Sequence, residues 1–227
     1  RRARLALWLL LNLLFLALLA GFVWFDNAAN RGIVFTPNPT PIPNARGPVL
    51  GVNLFNIHLE PDPAAVTRSF ALARDLGATY ARMQVPWDDI EIHARGDFED
   101  RRNVEAVGVV DAWAKYDRIV AAANAAEVQL IMRLERPPDW ARSGFIADPA
   151  FQAGILEDGN STGPPDDLAD YANFVRTLVE RYDGDGVADA PDSPTVRHFQ
   201  IWNEPNLKNE WNWQTPRPED FVDLLRV

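Results

Sequence analysis

Residues 196–206 read Val-Arg-His-Phe-Gln-Ile-Trp-Asn-Glu-Pro-Asn. The run from Val196 to Trp202 is rich in β-branched and aromatic side chains, the composition of a buried strand. Pro205 has no N–H to give to a ladder, so pairing has to stop just before it. Asn203 and Glu204 are thereby delivered to the C-terminal tip of a strand, facing a loop region. A carboxylate in that place has two ordinary structural uses, capping the following loop or pairing with Lys208. Asn203 has one, as a turn residue bonded to its own backbone. Strict alternation puts the two residues on opposite faces, so both reach one ligand only if the strand bulges or ends between them.

Working outward, strand-like apolar runs alternate with helix-like periodicity. Strands are expected at Val49–Ile57, Thr79–Pro86, Val128–Leu134 and Val196–Trp202. A first helix opens at Asp62-Pro63 and stops at Gly77, with an Asp cap, Pro in the first turn and Gly past the end. A second covers roughly Val109–Ala126, with Trp113, Tyr116, Ile119 and Val120 at helical spacing. A third starts near Asp166-Asp167 with the stripe Leu168, Tyr171, Phe174, Val175 and Leu178, and Pro218-Glu219-Asp220 opens a fourth. Strands alternating with helices imply right-handed βαβ units and a parallel sheet. An open doubly wound sheet is the simplest alternative, but Asn53-Leu54-Phe55-Asn56 stands where its Gly-rich phosphate loop belongs. The expectation is an α/β chain holding the first half, four βα units, of a (β/α)8 barrel. A full barrel needs about 250 residues, more than 49–227 supply. Such a half would leave its fourth strand as an open edge, poorly stable and prone to aggregation by itself.

The segment Ile201-Trp202-Asn203-Glu204-Pro205-Asn206-Leu207 resembles the acid/base motif of clan A glycoside hydrolases, the retaining (β/α)8-barrel enzymes, and is closest to families 39 and 5. The resemblance covers roughly Val49–Val227. It implies hydrolysis of O-glycosidic bonds with two carboxyl groups about 5–5.5 Å apart. Glu204 matches the general acid/base, with a pKa expected to be raised by burial and by the neighbouring nucleophile. Asn203 matches the residue that binds the sugar 2-hydroxyl. Arg82, in strand 2 on the face of Tyr80 and Gln84, looks like the arginine that holds the nucleophile ionised, although a structural ion pair with Glu135 or another acid would also use it. The family's nucleophile, a Glu at the seventh strand tip, has no counterpart here, so the expectation is half of a catalytic pair and no turnover from these residues alone. Glu135, at the end of strand 3, is read as structural or substrate-orienting, in reach of Arg133 or Arg136.

Four of the eight Trp follow strand tips: Trp87, Trp140, Trp211 and Trp213. Indoles stack on the C–H faces of sugars, so together these suggest a sugar cleft, although any single one is more often packing. His58, just past strand 1, could bind a hydroxyl or be structural. With His only at 58, 93 and 198, and no Cys, no catalytic metal and no cofactor are expected. Asp183-Gly184-Asp185-Gly186-Val187-Ala188-Asp189 invites a calcium reading. It departs from the EF-hand pattern at Val187, Ala188 and Pro194, and reads better as a solvated turn.

The N-terminal part is of another kind. Residues 5–25 form an apolar stretch behind Arg1, Arg2 and Arg4, and at about 1.5 Å per residue a helix there spans the ~30 Å core of a bilayer. The arginines favour a cytoplasmic stub at 1–4 and a signal anchor at 5–25. A cleaved signal, giving a secreted protein, is the competing reading. Residues 26–48 form a linker whose Thr36–Pro48 part holds five prolines, a stiff extended stalk. Residues 49–227 are the expected catalytic domain, outside the cytoplasm, in a chain that lacks an initiator Met and stops inside a helix, as a fragment would. With 47% hydrophobic and 24% charged residues the chain is globular. The net charge is −10, and residues 1–31 hold four Arg against one Asp, so the acidic excess belongs to the rest. That balance disfavours nucleic acid and suits a neutral oligo- or polysaccharide. Asn160-Ser161-Thr162 fits an N-glycosylation acceptor, relevant only in a eukaryotic secretory pathway. The rival function is a membrane-tethered carbohydrate-binding barrel without catalysis.

Overall fold

The computed structural model describes residues 2–29, 49–158 and 162–227. The chain divides into two units, Arg1–Gly47 and Pro48–Val227. In the first, one helix runs Arg2–Ala29. Its segment Ala6–Asn27 has a mean hydropathy of 2.5 and is long and apolar enough to cross a membrane. Asn12 does not spoil that: its Nδ2 donates to the Trp8 carbonyl at 2.7 Å, so its amide N–H is satisfied within the helix. The Pro-rich stretch 36–48 and Asn160 and Ser161 of the glycosylation pattern lie outside the described residues.

In the second unit four parallel strands pair in chain order: β1 (Gly51–Asn53), β2 (Tyr80–Pro86), β3 (Gln129–Glu135) and β4 (His198–Ile201). Between and after them run α1 (Pro63–Asp75), α2 (Ala114–Ala125), α3 (Leu168–Tyr182) and α4 (Pro218–Arg226). A doubly wound sheet reverses its strand order at a switch point. Here each strand lies beside its predecessor, the progression of a (β/α)8 barrel over four units.

Alternation along the strands sorts side chains cleanly. Ala81, Met83 and Val85 of β2, with Leu130, Met132 and Leu134 of β3, are buried within the apolar core. There they meet Tyr116, Ile119 and Val120 of α2 and Phe174 and Leu178 of α3. Each large side chain buried this way stabilises the fold by about 1.5–3 kcal/mol. The other face carries Arg82, Gln84, Arg133 and Glu135. Caps set the helix starts: Asp62 accepts from Ala64 N–H and Asp167 from Ala169 N–H, both at 2.9 Å. Gly77, at φ +83°, follows α1.

Several boundaries differ from the sequence reading. β1 is shorter than 49–57: after Leu54, whose N–H still bonds Arg82 O at 2.9 Å, the chain turns at Phe55-Asn56 into a 3-10 turn at Ile57–Leu59. β4 is shorter than 196–202, because Val196 N–H leaves the ladder for Tyr182 O and Trp202 takes a left-handed φ of 65°. α2 begins at 114, not 109. Gly108, at φ +76°, stops a short helix at Val104–Val107, and Val110–Asp111 pairs antiparallel with Glu99–Asp100. Two short helices, Ser143–Ile146 and Pro149–Asp158, fill the loop after β3 and left no periodic signal in the sequence.

Candidate active site

The site is assembled by the parity of strand residues and by one break in that parity. Arg82 and Gln84 in β2, Arg133 and Glu135 in β3, and Gln200 in β4 share one face, with Gln84 opposite Arg133 and Arg133 opposite Gln200. Continued alternation would bring Trp202 to this face. Its φ of 65° swings the indole away instead, edge-on to Tyr171 at 5.9 Å and to Trp211 at 5.8 Å, with Nε1 donating to Glu210 O at 3.0 Å. Asn203 takes the vacated polar position. Glu204, also left-handed at φ 40°, follows it into the open. Left-handed backbone costs a non-glycine residue roughly 1–2 kcal/mol, and the buried indole is what offsets it.

Asn203 sits between opposite charges. Its Oδ1 accepts from Arg133 Nη1 at 2.9 Å and Arg82 Nη2 at 3.2 Å. Its Nδ2 faces Glu204 Oε2 at 3.3 Å and Glu210 Oε1 at 3.5 Å. The amide is thus oriented by its surroundings, oxygen to the guanidinium groups and nitrogen to the carboxylates. Both guanidinium groups stand over the Phe55 ring, Arg133 at 4.4 Å and Arg82 at 5.3 Å, so the end of β1 contributes the floor.

Charge is unevenly matched. Arg133 is buried, pairs with Glu135 and donates to Gln84 Oε1 at 2.9 Å. Of the two partners considered for Glu135, Arg133 is therefore the one it takes. Burial still raises the Glu135 pKa despite that partner. Its Oε2 is buried without a hydrogen-bond partner. Arg82 is bonded to two neutral amide oxygens, Gln200 Oε1 at 2.7 Å and Asn203, and to no carboxylate among the described residues. The structural ion pair with Glu135 belongs to Arg133 instead. Partial burial and the adjacent Arg133 pull the Arg82 pKa down, against the opposite pull of Glu135 and Glu204.

Glu204 is exposed, so the burial expected of it is not provided by the described residues. Lys208 is not among its hydrogen-bond partners, and the Glu204 carbonyl accepts from Leu207 N–H at 2.9 Å to close the turn. The tryptophans part company. Trp87 is fully buried, stacked on Phe174 at 5.2 Å, and donates to Glu91 Oε2 at 2.5 Å. Trp211 is buried against Trp202 and Phe221. These two pack and have almost no surface left to offer a sugar. Trp140, half-buried and edge-on to Trp87 with Nε1 donating to Glu91 O, and Trp213, half-buried, keep some. His58 is buried, its pKa lowered by that burial, and its Nδ1 lacks a partner. It lies under the electrostatic influence of Asp89, Lys115 and Arg136.

Asp183, Asp185 and Asp189 bring carboxylate oxygens within 4.8 Å of one another in an exposed turn. Asp189 there accepts from Gly184 and Gly186 N–H. The sequence reading named Arg133 only as a partner for Glu135 and gave no site role to Arg133, Gln200 or Glu210. Strand parity alone could have found the first two. Glu210 carried no signal, because a 3-10 turn at Lys208–Glu210 folds it back onto Asn203.

No protein-family model matches this chain, and no curated protein does. Among solved structures, it is similar to an endo-1,4-β-D-mannanase from Thermotoga petrophila RKU-1, at 16% identity and a TM-score of 0.46 over 69% of this chain and 45% of that one. It is also similar to a GH39 enzyme from Xanthomonas axonopodis pv. citri, at 20% identity and a TM-score of 0.44 over 77% and 30%. An endo-1,4-β-mannanase from Rhizomucor miehei follows at 17% identity and a TM-score of 0.43 over 75% and 46%. The likeness is one of fold. The chain spans less than half the length of each of these structures.

Proposed function

We propose that the second unit belongs to a glycoside hydrolase that cleaves O-glycosidic bonds of neutral oligo- or polysaccharides with retention. Glu204 is the general acid/base, and the nucleophile is a Glu on a strand beyond Val227. In the first step Glu204 protonates the departing glycosidic oxygen while the nucleophile bonds to the anomeric carbon and the C–O bond breaks. In the second, Glu204 takes a proton from water, whose oxygen displaces the nucleophile from that carbon. The observation that carries this reading is the broken parity at the tip. Two consecutive residues, Asn203 and Glu204, are turned toward one side, with Arg82 beside them making no ion pair among the described residues. A nucleophilic carboxylate would complete Arg82. A bound sugar would supply the desolvation that the exposed Glu204 lacks.

We also propose that the N-terminal helix, which runs on to Ala29 and so past the expected linker start at 26, anchors the protein, with residues 49–227 outside the cytoplasm and the Pro-rich stretch between as a linker. The test of the chemistry is Glu204→Gln in the full-length protein, assayed on aryl glycosides and polysaccharides. Loss of about 10²–10⁴-fold in kcat on substrates with poor leaving groups, with an unchanged melt, is expected. Full activity removes Glu204 from the mechanism. Binding of sugars without hydrolysis by the unaltered protein selects the non-catalytic binding barrel.

A further inference from the structure

Gln200 lies half-buried on the polar face of β4, opposite Arg133 in the register. Its side-chain amide is used at both ends. Oε1 accepts from Arg82 Nε at 2.7 Å, and Nε2 donates to the Trp202 carbonyl, also at 2.7 Å. A guanidinium nitrogen only donates and a carbonyl only accepts, so the orientation of this amide is fixed from both sides. The second bond falls on the residue that breaks strand parity, Trp202 at φ 65°, whose N–H still donates to Leu134 O at 3.1 Å. The first falls on the cation whose Nη2 donates to Asn203 Oδ1 at 3.2 Å. One neutral side chain therefore ties Arg82 to the turn that presents Asn203 and Glu204.

The neutrality of that tie is informative. The charged groups acting on Arg82 are Arg133 and Glu135 of β3 and Glu204 at the tip. Glu210 Oε1 lies 3.5 Å from Asn203 Nδ2 as well. Glu135 is paired with Arg133, and the hydrogen bond of the Glu204 carboxylate is to Asn203. Arg82 is left without an ion pair among the described residues, held by two amide oxygens instead. A carboxylate of the same size in place of the Gln200 amide would pair with Arg82 and set its other oxygen against the Trp202 carbonyl, acceptor to acceptor. An amide serves the donor and the acceptor together and adds no charge.

We propose that Gln200 is a positioning residue, one that fixes the Arg82 guanidinium and the Trp202 turn in register with each other without neutralising Arg82. It acts through these two groups and is assigned no contact with substrate. The inference rests on the hydrolase reading and deepens it: the charge of Arg82 is kept for the nucleophilic carboxylate, while the geometry of Asn203 and Glu204 is kept for the sugar.

The experiment uses the full-length protein and the best aryl glycoside of a panel, with Gln200→Met, Gln200→Glu, Arg82→Met and the double variant Arg82→Met/Gln200→Met. Melting temperatures are taken first, and kinetics are run well below the lowest of them. Gln200→Met leaves Arg82 Nε and the Trp202 carbonyl without their partner. It should lower kcat by roughly 10–100-fold while KM stays within about threefold. In the Arg82→Met background the same change should cost less than about threefold further, because the two residues act as a unit. Gln200→Glu should raise the acidic limb of the kcat/KM profile by about one pH unit, since the introduced carboxylate takes up the charge that holds the nucleophile ionised. Gln200→Met adds no charge and should move that limb far less. Losses that multiply fully in the double variant, or that follow the melting temperature alone, make Gln200 structural and overturn the inference while the hydrolase reading stands. So does an acidic limb that stays in place in Gln200→Glu, the variant that decides alone if Gln200→Met does not fold. If the unaltered protein cleaves no glycoside of the panel, the hydrolase reading falls and this inference falls with it.

Discussion

The two faces of strands β2 and β3 differ by one residue of offset and by everything else. Ala81, Met83, Val85, Leu130, Met132 and Leu134 meet helices and are sealed from water. Arg82, Gln84, Arg133 and Glu135 meet one another, Phe55 and Asn203. The first face is held by shape and area, so its tolerance is set by volume. The second is held by hydrogen bonds among charged and amide groups that still leave Arg133 Nε and Glu135 Oε2 without a partner, so its tolerance is set by charge count. The lesson is that stability and chemistry are written on alternate residues of the same strands, and substitutions should separate them.

Removing volume from the apolar face should have the largest effect. Phe174→Ala opens a void under the stacked Trp87 ring and should cost about 3–5 kcal/mol, read as a lower denaturant midpoint with an unchanged slope. A cost under 1 kcal/mol would mean that this face is not the core. On the polar face, Arg133→Met strands the buried Glu135 and should cost about 3 kcal/mol near neutral pH. Adding Glu135→Leu to it should recover most of that loss. If the double variant stays well below the unaltered chain, the pair is a net source of stability.

The pH dependence separates the faces further. Burial raises the Glu135 pKa in the folded state above its unfolded value. Between those two values the folded protein binds more protons than the unfolded one, so this group's contribution to stability falls as pH rises through that window. The stability of the unaltered chain relative to Glu135→Gln should therefore decline from about pH 4 upward, in urea midpoints taken across the acidic range. The opposite slope would mean that Arg133 dominates and holds the carboxyl ionised. Smallest of all is a change remote from either face. Asp167→Ala removes the cap on Ala169 N–H and should cost about 1 kcal/mol without altering sugar binding.

The apolar face was legible in the sequence because periodicity encodes it. Trp113, Tyr116, Ile119 and Val120 fell at helical spacing and are all buried, the last three in α2 and Trp113 at its N-cap. Asp62, Pro63 and Gly77 bounded α1 through local chemistry that needs no tertiary context. The polar face was legible only in part. Arg82 and Asn203 were singled out, but their meeting across 121 positions of sequence depends on sheet register. Trp87 and Trp211 showed why a residue's place after a strand is not its exposure. Trp87 turns inward at once in a 3-10 turn, and Trp211, reached only after the Lys208–Glu210 turn, packs against Phe221. The return of Glu210 to Asn203 depends on left-handed φ values at Trp202 and Glu204, residue types that give no hint of that conformation.

The aromatic rings from Phe174 through Trp87, Tyr171, Trp202 and Trp211 to Phe221 form an unbroken series of contacts beneath the loops after β2, β3 and β4. Loops resting on one shared keel cannot be reshaped one at a time. Substitution should be tolerated at Trp140, which touches the series only at the edge of Trp87, and should fail at the buried rings, where any trim would shift Glu204 together with its neighbours.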